Sequence, residues 1–147
     1  MKGFNVRFLQ EEEYETWDRL VDHSRYGTLF HQSEWCRALF QFDPAVSLQI
    51  AGCFVGDSLV GGMITGSRRR LKLFNLMVPP YASPFYGLVI EEKETKQSAK
   101  AENFRRAVFS SLLLFLEEHY QQGVFALHPD IQDVRSFIWN KNRVEVL

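Results

Sequence analysis

Pro79-Pro80-Tyr81-Ala82-Ser83-Pro84-Phe85-Tyr86-Gly87 puts prolines, rings and hydroxyls at consecutive positions. The prolines restrict the loop at low entropy cost. Tyr81, Ser83 and Tyr86 then offer hydroxyls beside apolar surface, the mixture that lines a small-molecule pocket. The alternative is a rigid surface loop whose aromatics cap a sheet. Arg68-Arg69-Arg70 with Lys72 forms a second candidate, for phosphate or RNA contact, against the simpler reading of a solvated hairpin tip. His128, Asp130 and Asp133 carry metal-ligating atoms, yet His-Pro-Asp after a strand reads as a turn with an Asx cap, and no metal is expected. His31 stands just before a helix start, where its ring can serve free backbone N–H groups. As a general base it would need an acceptor within hydrogen-bond reach. Cys36 and Cys53 lie in no CxxC or Cys/His spacing and read as small core residues of a reduced compartment. No Ser-His-Asp or Cys-His set has a local signature.

The elements that must position these residues follow from periodicity. Phe4 to Leu9 alternates apolar and polar residues, as a strand does. Glu11-Glu12-Glu13 supplies negative charge at the start of a helix carrying Tyr14, Trp17, Leu20 and Val21, and Ser24 to Gly27 stops it. Ser33 is the expected N-cap of a second helix with Trp35, Cys36, Leu39 and Phe40, ended by Asp43-Pro44. Ser47 to Val55 and Leu59 to Thr65 predict a hairpin around Gly56-Asp57. The arginine run marks the next turn region, and Leu71 to Val78 predicts a strand that must leave the sheet at Pro79-Pro80. Tyr86 to Ile90 is a short extended segment. A long helix follows from roughly Lys96 to Tyr120, apolar on nearly every face between Ala107 and Leu116, which predicts cover on both sides. Gly123 ends it, Val124 to Leu127 reads as a buried strand, and Val144 to Leu147 as a last one.

The chain of 147 residues is long enough for one domain with a proper core and short for two. Hydrophobic content of 46% and charged content of 24% are those of a soluble globular protein. Thirteen Phe is a heavy aromatic load, so the core is large or part of that surface is meant for a partner. A net charge of -1 gives no overall field for nucleic acid or anionic membrane, so only local patches could provide one. The start has no apolar leader pattern. The apolar run Leu112 to Leu116 is too short for a membrane span, and the expected location is cytoplasmic.

Several stretches in order resemble the start of the FemABX-like acyltransferases, which are built from domains of the GNAT acetyltransferase shape. They are Trp17-Asp18-Arg19-Leu20-Val21, then Gly27 to Trp35, Leu59-Val60-Gly61-Gly62, Pro79-Pro80-Tyr81, Tyr86 to Ile90, and His128 to Trp139. The resemblance implies an α/β (α+β) fold, a GNAT-like mixed, mainly antiparallel sheet flanked by helices in the order β-α-α-β-β-β-α-β-β. It implies one GNAT-like domain over residues 1–147, similar to the first half of a two-domain protein. That half would hold the acyl acceptor, a small molecule with an amine or hydroxyl, while a second GNAT-like domain or a homodimer partner handles the donor. Acyl-CoA or aminoacyl-tRNA is the implied donor of the complete protein. Gln32 and Trp35 approach a Gln-x-x-x-Trp-like helix start that a basic residue follows one turn on for precursor phosphates. Here that place holds Leu39, with Arg37 the nearest base, which speaks against a cell-wall precursor. The usual acetyl-CoA fingerprint, Arg/Gln-x-x-Gly-x-Gly/Ala before the long helix, is missing from Glu91 to Glu102. That junction holds four glutamates and no glycine, so no cofactor is expected on this domain. The competing reading is a non-catalytic GNAT-shaped binding or interaction module without an acetyl-CoA site.

Overall fold

A computed structural model describes residues 3–79, 82–84, 86–92, 98–131, 133 and 135. The alternating Phe4–Phe8 forms β1, whose edge Phe, Val and Phe side chains are half-buried while Asn5 and Arg7 face outward. A 3-10 turn over Glu11–Glu13 leads into α1 (Tyr14–His23), with Trp17, Leu20 and Val21 buried at helical spacing. A second 3-10 turn, Leu29–His31, precedes α2 (Ser33–Phe40). Then come β2 (Val46–Val55), β3 (Ser58–Arg70), β4 (Phe74–Val78) and β5 (Leu88–Ile90), followed by α3 (Ser98–His119) and the short β6 (Gln122–Gly123).

The sheet runs β1-β2-β3-β4-β6, with β5 pairing a different stretch of β3. All pairs are antiparallel except β4 with β6. This is the mixed, mainly antiparallel sheet expected, with helices on both faces. Under α1 and α2 lie Leu9, Ile50, Phe54 and Ile64; under α3 lie Ala51, Cys53, Met63 and Leu88. The long β3 is the common floor. A methyl at Gly62 would sit 2.7 Å from the Trp17 ring and 2.5 Å from the Ala51 carbonyl, and one at Gly61 would sit 2.8 Å from Val108. The glycine pair thins the sheet on both faces, so that Trp17 from α1 and Val108 from α3 can both settle on the backbone. At the far end of α3 the Tyr120 hydroxyl donates to the Gln49 side-chain oxygen (2.6 Å) and lies 3.1 Å from the Thr65 hydroxyl. This satisfies three polar groups that the core would otherwise strand.

Several expectations change in the structure. The arginine run is not a turn: β3 continues to Arg70, pairing Arg68, Arg69 and Arg70 with Leu76, Asn75 and Phe74. Long stems let arginine sit in a strand while the guanidinium stays in water. The turn falls instead on Leu71 to Leu73, so β4 starts at Phe74. Ser33 is the first residue of α2 rather than its cap. Its backbone N–H and its hydroxyl both donate to the Asp18 carboxylate (2.8 and 2.6 Å), a charged acceptor brought over by α1. The extended segment expected at Tyr86 to Ile90 is the strand β5, which pairs with β3 before α3. Val124 to Leu127 is not a strand; the pairing is made by Gln122–Gly123, Val124 is 61% exposed, and Phe125 and Leu127 are half-buried against the core. The long helix buries one face, Val108, Phe109, Leu112, Leu113 and Leu116, whereas Leu114 is 54% exposed. Small residues, Ala107, Ser110 and Ser111, share the outer stripe with Leu114, so a sheet on one side is cover enough. The expected strand at Val144 to Leu147 lies outside the described residues.

Candidate functional site

Polar and titratable side chains converge where β3 begins and β5 ends. The Ser24 hydroxyl, at the close of α1, accepts from the backbone N–H groups of Tyr26 (3.2 Å) and Ile90 (3.4 Å), tying the α1–α2 connection to the end of β5. The turn needs Gly27, since a Cβ there would lie 1.8 Å from the Val21 carbonyl. Tyr26 is thereby buried against His128, ring centres 5.8 Å apart, with the Arg105 guanidinium 5.4 Å from its ring centre. Burial raises its phenol pKa.

His31 is 1% exposed and held on two sides. Its carbonyl accepts from the Trp17 indole N–H at 2.7 Å, and its Nδ1 accepts from the Thr28 backbone N–H at 3.2 Å. A backbone N–H can only donate, so the ring proton sits on Nε2. Burial first, and then the neighbouring His128, push its pKa down to about 4. His31 is therefore a neutral imidazole at neutral pH, with Nε2–H as a donor and its only acceptor nitrogen engaged. It can orient or polarise an oxygen, and it is a poor proton acceptor. His128 opens the last turn: its Nδ1 accepts from the Asp130 N–H (3.2 Å), and its carbonyl accepts from the Ile131 N–H (2.9 Å). The turn expected here is present, capped by the His128 ring rather than by an Asx side chain. Asp130 meets Arg25 at 3.2 Å, and Asp133 takes Arg135 at 2.7 Å and Arg106 at 3.4 Å, the Arg135 guanidinium holding the Asp133 carboxyl well below its usual range. Among the described residues, no three His, Cys, Asp or Glu side chains are placed to hold a metal ion.

The residues singled out from the sequence do not gather here. Ser83 is buried and accepts from the Trp35 indole N–H at 3.2 Å; Tyr86 is buried, with its phenol pKa raised by burial and its backbone N–H donating to Ala126 (3.2 Å). Tyr81 lies outside the described residues. Arg37, two positions beyond Trp35, falls on the opposite side of α2. There it pairs with Glu11 (3.2 Å) over the Tyr14 ring. Arg68 is taken by Asp43, while Arg69, Arg70 and Lys72 are exposed at the far end of β3. Both thiols are buried, with pKa values pushed up to about 12, which leaves no thiolate for chemistry. Tyr26 and Ser24 were hidden in the sequence inside what reads only as a helix stop. Gly27 was the one signal of a tight approach there.

The junction before α3 is the place for a pyrophosphate in an acetyl-CoA site. The Glu91 N–H there donates to the Val60 carbonyl at 2.8 Å, and the Glu91 and Glu92 side chains are exposed carboxylates. Anions need free backbone donors and are repelled by such charges, and residues 93–97 of this junction lie outside the described residues. The sequence matches no protein-family model and no curated protein. The structure is similar to that of an aminoglycoside acetyltransferase, meta-AAC0020, from an uncultured soil metagenomic sample. Solved with sisomicin it aligns at a TM-score of 0.52, and with trehalose at 0.51, in both cases with 10% identity over 98% of this chain and 92% of that one. A possible acetyltransferase from Clostridium difficile 630 aligns at 0.48 with 8% identity over the same shares. The mixed, mainly antiparallel sheet, its flanking helices and the similarity to meta-AAC0020 give the chain an acetyltransferase-type, GNAT-like fold.

Proposed function

We propose that this chain is the acceptor-binding part of an acyl- or aminoacyltransferase, FemABX-like in plan. It would hold a small molecule with an amine or hydroxyl at the Tyr26, His31 and His128 end of the sheet. The observation that carries this reading is the pairing of an acetyltransferase-type fold with a buried polar cluster edged by His128, beside a junction that exposes carboxylates. The half-buried His128 would face the acceptor, and the buried Tyr26 ring and His31 would hold it in place from behind. The acyl donor, acyl-CoA or aminoacyl-tRNA, then belongs to a second GNAT-like domain or a homodimer partner. The similar acetyltransferase solved with sisomicin and with trehalose supports an acceptor rich in amines or hydroxyls. The same glutamate-bearing, glycine-free junction also favours the competing reading, a GNAT-shaped interaction module with no acyl chemistry.

Histidine-resolved NMR of the chain with sisomicin, trehalose and acetyl-CoA separates these. Acceptor binding predicts shifts of the His31 and His128 ring signals with an amine or polyol and none with acetyl-CoA. Micromolar calorimetric binding of acetyl-CoA would replace this reading with a self-sufficient acetyltransferase. Silence of both rings to every compound would leave the interaction module.

A further inference from the structure

The β3–β4 hairpin ends in six consecutive exposed residues, Arg69, Arg70, Leu71, Lys72, Leu73 and Phe74. Three are cations and three are large apolar groups, with Leu71 and Leu73 76% and 78% exposed and Phe74 45% exposed. No carboxylate among the described residues pairs with these cations, since Asp43, the acid brought to this end of the sheet, is taken by Arg68. Phe42, the residue before Asp43, is 86% exposed at the same end. The backbone adds a second cost. Leu71 and Lys72 have φ of 53° and 56°, a region where glycine or asparagine rests more easily than a residue with a full side chain. The turn thus bears strain and wet leucine together, and nothing among the described residues covers either.

We propose that this tip is a peripheral docking surface for an anionic lipid bilayer. Leu71 and Leu73 at the apex would enter the headgroup–acyl boundary, and Arg69, Arg70 and Lys72 would meet lipid phosphates around them. Charge complementarity argues for this occupant, because a chain of net charge -1 gathers three exposed cations without an ion pair among the described residues into four positions here. The shape argues for a bilayer over RNA. Single-stranded RNA is held in a groove on aromatic platforms, whereas this is a convex turn led by aliphatic side chains. The proposal concerns a different end of the molecule from the acceptor cluster and stands without it.

Vesicle co-sedimentation of the full chain provides the test, with phosphatidylglycerol/phosphatidylcholine vesicles against pure phosphatidylcholine. Binding only to the anionic vesicles, weakened by salt, is expected. Neutralising the cations (Arg69→Gln, Arg70→Gln, Lys72→Gln together) lowers partitioning by about a hundredfold. Leu71→Ser with Leu73→Ser lowers it by roughly tenfold. Leu71→Trp, a single exposed change, reports insertion directly through a blue shift of its added fluorescence on the anionic vesicles only. Absence of anionic-vesicle binding, or binding that both multiple variants leave unchanged, overturns the proposal. So does tip-dependent binding of poly(U) in fluorescence anisotropy without vesicle binding, which assigns the surface to RNA instead.

Discussion

The two ends of β3 are made by opposite rules. Around Val60 to Met63 the strand is buried on both faces, glycines admit Trp17 and Val108, and polar groups are tied between elements, Ser24 to Ile90 and Trp17 to His31 among them. Around Arg69 and Arg70 the same strand runs past both helix layers into solvent, with strained backbone, exposed leucine and cations that no carboxylate among the described residues balances. One end is over-determined by packing and tolerates almost no change. The other is held only by its ladder bonds and is free to be shaped by what it meets. A strand has no opinion about burial; the layers laid across it decide.

That contrast can be broken by substitution. Trp17→Ala at the packed end removes a fully buried ring and leaves the His31 carbonyl without its donor. It should destabilise the fold by about 3–5 kcal/mol in urea titrations. A loss below about 1 kcal/mol would mean that this end is not packed as described.

Acid sharpens the same comparison. Folding lowers the His31 pKa to about 4 from its ordinary 6.5, so as pH falls the unfolded chain takes up this proton first. The contribution is whole above pH 6.5 and is lost progressively down to about pH 4, amounting to roughly 3 kcal/mol. Glu13, held at about 2 chiefly by Arg7, loses its contribution in a lower window, from 4.5 down to about 2. His31→Asn should therefore flatten stability against pH between 4 and 6.5 and leave the lower limb in place.

At the exposed end the sign reverses. Leu71→Gly relieves a positive φ and removes a wet side chain, so it should stabilise the chain by about 1 kcal/mol. Thermal melting checks this, and destabilisation would show that Leu71 packs on something within the fold. The smallest effect is expected for Arg37→Ala. Its exposed pair with Glu11 should be worth less than about 0.5 kcal/mol in the same melts.

Period and punctuation in the sequence were sufficient for β1, α1, α2, the Gly56-Asp57 hairpin and the long helix, because each of those elements buries one face and its pattern is local. They failed at the arginine run, where a charged triplet looks like a turn yet sits in a strand whose partner, β4, supplies the ladder. They failed again at Val124 to Leu127, where an apolar run has no strand to complete. The candidate site was legible only in fragments. His31 was picked out as a ring serving N–H groups, and it does so for Thr28, but its neutrality comes from burial and from His128, far away in the chain. Asp18 as the acceptor for Ser33, Ser24 as a clasp on β5, and Tyr26 against His128 are all contacts between elements distant in sequence. A linear pattern records which side chains are able to be buried or charged. Which of them meet is set by how the layers close over β3, and that is a property of the folded chain alone.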